Sequence, residues 1–115
     1  MSRRDVQRLE DIRAACAAIR EHLTHGDLHQ GLIFDAVRAR LIEIGEAVKA
    51  IDPELLAAEP DIPWGQIARM RDQLAHRYFD TSHAIVAGTV TNDLPQLEAA
   101  VGRLTLIAET GDQPN

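Results

Sequence analysis

The chain has 115 residues and a formal net charge of −6; 45% of it is apolar but only 3% aromatic. That length gives one domain with a real core, and an aliphatic, alanine-rich interior favours close-packed helices over a sheet sandwich. The acidic balance argues against a protein that tracks long nucleic acid by its phosphates, although Arg69, Arg71 and Arg77 gather positive charge in one stretch. A single cysteine, Cys16, excludes an internal disulfide and fits a reducing compartment. No apolar run reaches membrane-spanning length, and Met-Ser-Arg-Arg-Asp lacks the apolar segment of a secretion signal. A soluble, cytoplasmic protein without membrane contact is expected.

Ser2 and Asp5 are spaced as a capping box, opening a first helix whose apolar stripe is Leu9, Ile12, Cys16, Ile19 and Leu23. Gly26-Asp27 ends it and caps the next. Cys16 on that stripe reads as a buried, inert thiol. His22, His25 and His29 are interrupted by Gly26, which argues for solvated helix-end histidines rather than a metal cluster, so no metal is expected. A second helix follows over about Leu28–Ala50, with Ile33, Val37, Leu41, Ile44, Val48 and Ile51 in register. Arg40 falls near that stripe as a candidate buried cation, and Ile42 points the opposite way, which hints at an oligomer. Gly45 permits close approach of a neighbour. Glu46 has two readings, a solvated surface carboxylate or the partner of an arginine.

Asp52-Pro53 starts a short helix with Asp as N-cap and Pro at its first position, and it stops before Pro60. Trp64 anchors the end of a central helix running to about Arg77. Asp80-Thr81-Ser82 supplies the next N-cap, and His83 is expected to face solvent. A last helical region spans Ser82 to about Ala108, with Val86, Val90, Leu94, Leu97, Val101 and Leu104 in one phase and a break at Asn92–Pro95. The expected architecture is an all-α, up-and-down bundle of four to five helices over residues 1–109, with a disordered tail over 110–115.

The central helix carries the chemistry. Arg71 lies on the stripe formed by Ile67, Met70, Leu74 and Tyr78, where a guanidinium loses water unless an anion meets it. Asp72 and His76 are four apart, so the carboxylate can hold the imidazole. Ala68 and Ala75 are small enough to admit another helix. On these residues alone, an Arg–Asp pair with a helix-end histidine fits a pin that holds a bundle together better than it fits a site.

Arg71-Asp-Gln-Leu-Ala-His76-Arg-Tyr78 has the form R-x4-H-x-Y and resembles the signature of HEPN-domain proteins, in particular the HepT-like family. Asp35-Ala36-Val37, Glu43-Ile-Gly-Glu-Ala47, Ile62-Pro-Trp64, Gln66-Ile-Ala68, Met70-Arg-Asp72 and Thr91-Asn-Asp-Leu-Pro95 are similar to that family in its order. The resemblance implies a homodimeric helical bundle acting as a metal-independent endoribonuclease, with Arg71 and His76 catalytic and needing no cofactor. It further implies the toxin of a toxin–antitoxin pair whose partner, an MNT-class nucleotidyltransferase, transfers AMP to Tyr78. Asp72 departs from the asparagine common in that family, and Asp72 and Glu46 are the expected supporting residues. Two other functions fit the same residues: a non-catalytic helical subunit that binds a nucleotidyltransferase and shapes its substrate site, and a nucleotide-binding bundle that holds a phosphate with Arg71.

Overall fold

The computed structural model of the chain describes residues 3–76 and 79–111. Among them there are helices and connections and no strand. Helix α1 spans Arg3–Thr24 and α2 Gly31–Ala50; a one-turn α3 covers Pro53–Leu56. Helix α4 spans Trp64–His76, α5 Phe79–Gly88 and α6 Leu94–Gly111, with a π-helical turn, Thr89–Asp93, between the last two.

The spacing of apolar residues explains the core. Leu9, Ile12, Cys16 and Ile19 of α1 are fully buried, as are Val37 and Leu41 of α2. Leu74 of α4, Val86 of α5, and Val101 and Leu104 of α6 close the interior from the other side. Helix α2 sits between α1 and α4, α1 also packs on α6, and α5 lies against α2 and α4. Helix α2 runs antiparallel to both α1 and α4. Asp5 at the start of α1 meets Asp52 beyond the end of α2, while Arg38 and Gly45 of α2 meet Leu74 and Ile67 of α4 in reverse order. No helix among the described residues is long and apolar enough to cross a membrane.

Several expected ends move. Ser2 lies outside the described residues. Asp5 is buried, and its carboxylate accepts the Asp52 N–H at 3.2 Å, which ties α1 to the α2–α3 junction. Asp27 does not cap α2: its carboxylate accepts the His29 N–H at 2.9 Å, and Gln30 N–H bonds the Asp27 carbonyl at 3.1 Å. That local turn delays α2 to Gly31, with extended Gln30 as its cap residue. Asp52 caps α3 as expected, accepting the Glu54 N–H at 3.0 Å ahead of Pro53. Trp64 anchors the start of α4, its indole N–H shared between the Leu56 and Glu59 carbonyls at 3.0 Å each.

Asp80-Thr81-Ser82 is not a cap, because α5 already runs from Phe79. His83 does not face solvent. It is half-buried and stacks between His29 and Phe34, with ring centroids 5.6 and 5.5 Å away. The expected break before Pro95 takes the form of the wide turn, in which Leu94 N–H bonds the Thr89 carbonyl. Pro95 has no N–H to give, and its ring would strike the carbonyl four residues back; one residue more per turn relieves both without breaking the rod. Helix α6 continues through Thr110 to Gly111.

Candidate functional site

The site begins with a glycine. A Cβ built on Gly45 would stand 2.9 Å from Arg71 Cβ and 3.0 Å from the Ile67 carbonyl oxygen, so only a residue without a side chain lets α4 lie this close to α2. Close packing places Glu46, the next residue, beside Arg71. The Arg71 Nε forms an ion pair with Glu46, and its Nη1 donates to Asp72 Oδ1 at 2.8 Å. Of the two readings of Glu46, the arginine partner is therefore the one realised.

Two expectations about this cluster change. Arg71 is not desolvated: its side chain keeps 39% of its exposure, because the long stem leaves the apolar stripe and carries the guanidinium to the helix surface. Asp72 accepts its hydrogen bond from Arg71 rather than from His76: that bond keeps its carboxylate below the usual range, with the Lys49, Arg71 and His76 charges adding to the effect. Arg71 is pushed further above its ordinary range, first by the Asp72 hydrogen bond and then by the Glu46 charge.

His76 is the last described residue of α4 and is exposed. On an ideal helix it projects roughly 140° from Arg71. Ala68 is half-buried and Ala75 exposed. Tyr78, the expected modification site, lies outside the described residues, as does Arg77.

Elsewhere, Arg40 is not a buried cation; it is 40% exposed and pairs with Glu43 at 3.0 Å. The arginine engaged with the interior is Arg38, whose Nε and Nη2 both donate to the Leu74 carbonyl, at 3.0 and 2.6 Å. Nothing in the spacing of the sequence signals that contact, which joins residues 36 apart. Ile42 is half-buried and lines a groove of about 640 Å³ between α1 and α2, with Ala14, Ala18 and Ala47 as its floor and Glu46 among its walls. Cys16 is buried, and burial pushes its thiol up to about 12. His25 pairs with Glu21 at 3.2 Å, and no group of three His, Cys, Asp or Glu able to hold a metal ion occurs among the described residues.

An all-helical bundle with an arginine held between two carboxylates, and a histidine in the last described turn of the same helix, is the class of protein that this geometry defines. Residues 7–104 match the profile of the family described as Ribonuclease HepT-like. A protein of Thermococcus cleftensis named probable ribonuclease HepT is 36% identical over 109 residues, covering 90% of this chain and 98% of its own. Another, from Methanocaldococcus jannaschii and provisionally assigned as an RNase, is 27% identical over 106 residues, 88% of this chain and 97% of its own. A third, from Caldanaerobacter subterraneus and assigned in the same way, is 41% identical over 58 residues, 50% of this chain and 52% of its own. No solved structure matches. The chain belongs to the HepT-like family.

Proposed function

We propose that the protein is a metal-independent endoribonuclease, the toxin of a toxin–antitoxin pair, with Arg71 and His76 as its catalytic residues. The observation that carries this reading is the match to the Ribonuclease HepT-like family over residues 7–104, which includes the whole of α4. The chemistry suits the side chains. An imidazole titrates near neutral pH and can take the proton of a ribose 2′-OH. The 2′-oxygen attacks phosphorus and the bond to the 5′-oxygen breaks, leaving a 2′,3′-cyclic phosphate and a 5′-hydroxyl once the leaving oxygen has gained a proton. Arg71 offers its guanidinium to the charge that develops on the phosphate oxygens.

One chain supplies one motif histidine, whereas the cycle needs both a base and an acid. A homodimer with the two α4 ends facing each other supplies the second. It also removes the difficulty that Arg71 and His76 diverge on one helix, since each phosphate can be held by one subunit and protonated by the other. Ala75, exposed and small, suits a close subunit contact there.

Regulation by an MNT-class nucleotidyltransferase completes the proposal: the Tyr78 hydroxyl attacks the α-phosphate of ATP, forms a phosphodiester to AMP and expels pyrophosphate. The adduct would add bulk and negative charge two residues from His76 and repel RNA.

Cleavage of cellular RNA in EDTA by wild type, and its loss in His76→Ala, is the expected result. Equal cleavage by both proteins removes His76 from the mechanism. Absence of cleavage by either favours the binding-subunit reading, in which Glu46, Arg71 and Asp72 serve as a structural pin. Intact mass after incubation with the transferase and ATP tests Tyr78, and an adduct persisting in Tyr78→Phe excludes that site.

A further inference from the structure

Five of the eleven arginines are ion-paired to carboxylates among the described residues. Arg8 is met by Asp11 at 3.2 Å, Arg20 by Glu98, Arg40 by Glu43 at 3.0 Å, and Arg103 by Glu59 at 2.6 Å. Arg71 is met by two carboxylates, Glu46 and Asp72, so its own charge is already claimed before any RNA phosphate arrives. Arg38 differs from all of these. Its two hydrogen bonds go to the Leu74 carbonyl, and it makes no ion pair among the described residues. A carbonyl orients a guanidinium but does not neutralise it. Because Arg38 is also part-buried, its charge is poorly screened and attracts an anion more strongly than a fully hydrated one would.

The location matters as much as the charge. Leu74 lies in the last turn of α4, two residues and about 3 Å of helix rise before His76. Helix carbonyls point towards the C-terminal end, so the Arg38 guanidinium sits at the end of the helix that carries the histidine. Its Nη1 makes no hydrogen bond among the described residues, and the planar fork of arginine can serve a carbonyl along one edge and a phosphate along another.

We infer that Arg38 is a phosphate-binding residue of this site. It grips an RNA phosphate beside the one on which His76 acts, with the Leu74 carbonyl fixing its orientation. The inference rests on the ribonuclease reading and assigns to α2 a cation that the motif on α4 does not contain.

The test is equilibrium binding of the full chain to a short single-stranded 2′-O-methyl RNA, which has no free 2′-OH and cannot be cut, at a series of salt concentrations. Arg38→Gln keeps an N–H donor for the Leu74 carbonyl and removes the charge; Arg38→Lys keeps the charge. The glutamine variant is expected to bind about ten-fold more weakly, and its slope of log affinity against log salt should be shallower by about 0.7. The lysine variant should keep the wild-type slope. Wild-type affinity and slope in Arg38→Gln would overturn the inference and leave Arg38 as a cap on α4. A second measurement needs no stable variant: the Arg38 Nε–H NMR resonance of the wild-type chain should shift on adding the RNA, and an unmoved resonance under saturating RNA overturns it equally. Wild type that binds no RNA overturns the ribonuclease reading itself, a result seen before any variant is compared.

Discussion

Gly45→Ala asks whether the close approach of α2 and α4 is required. Two effects oppose each other. Alanine in place of a mid-helix glycine favours the helix by about 0.5–1 kcal/mol. The added Cβ, however, would lie 2.9 Å from Arg71 Cβ, 3.0 Å from the Ile67 oxygen and 3.3 Å from the Arg71 nitrogen. Two of those atoms are helix backbone, which cannot swing aside as a side-chain tip can. The helices must separate by a few tenths of an ångström, and overpacking of this kind costs about 1–3 kcal/mol. The balance is a destabilisation of about 1–2 kcal/mol, or a Tm lower by roughly 5–10 °C for a domain of this size. Gly102→Ala is the control: nothing lies within 4 Å of its Cβ, so propensity alone acts and Tm should rise by a few degrees. Circular dichroism melts at one fixed protein concentration compare the three chains. If Gly45→Ala melts with wild type or above it, helix propensity has won and the packing argument for the site fails with it.

Asp5→Ala strands the Asp52 N–H and should cost about 1–3 kcal/mol, whereas Asp5→Asn keeps an acceptor and should melt near wild type; equal melts for the two variants would contradict this. Cys16, with its thiol pushed up to about 12, should stay unreactive to a thiol reagent at pH 8 in the native chain and react only after unfolding. The Arg103 hydrogen bond holds the Glu59 carboxyl below its ordinary range. A carboxyl lowered in the folded state stabilises fully above its unfolded value, near 4.3, and that contribution is lost as pH falls through the folded value. Arg103→Ala should therefore return Glu59 towards the ordinary range in a carboxyl NMR titration. Any stability gap to wild type should be present at pH 7 and vanish under acid.

Much of this arrangement was legible in the sequence because helices bury residues at fixed spacing. Leu9, Ile12, Cys16 and Ile19 are buried as their periodicity requires, and so are Val37, Leu41, Ile44 and Val48. Gly45 was readable for the same reason, since a glycine on a buried face marks a crossing, whereas Glu46 kept two readings that only its pairing with Arg71 decides. What spacing does not encode is where a long, flexible side chain bends. Arg71 could not be placed between Glu46 and Asp72 from helical angles, since Asp72 is its immediate neighbour and nominally faces elsewhere. Arg38 reaching Leu74, and His83 sliding between His29 and Phe34, depend on the docking of separate helices. The π turn was half legible, since Pro95 announces a disturbance without saying whether the helix bends or widens.

The pairing of Arg8, Arg20, Arg40, Arg71 and Arg103 with carboxylates also bears on what the protein ignores. Chromosomal DNA, ribosomes and other abundant polyanions are captured indiscriminately by surfaces with unclaimed cations. Where arginines are already occupied in this way, the surface offers such bulk competitors little foothold, and binding there is left to the few strands that can displace an internal carboxylate.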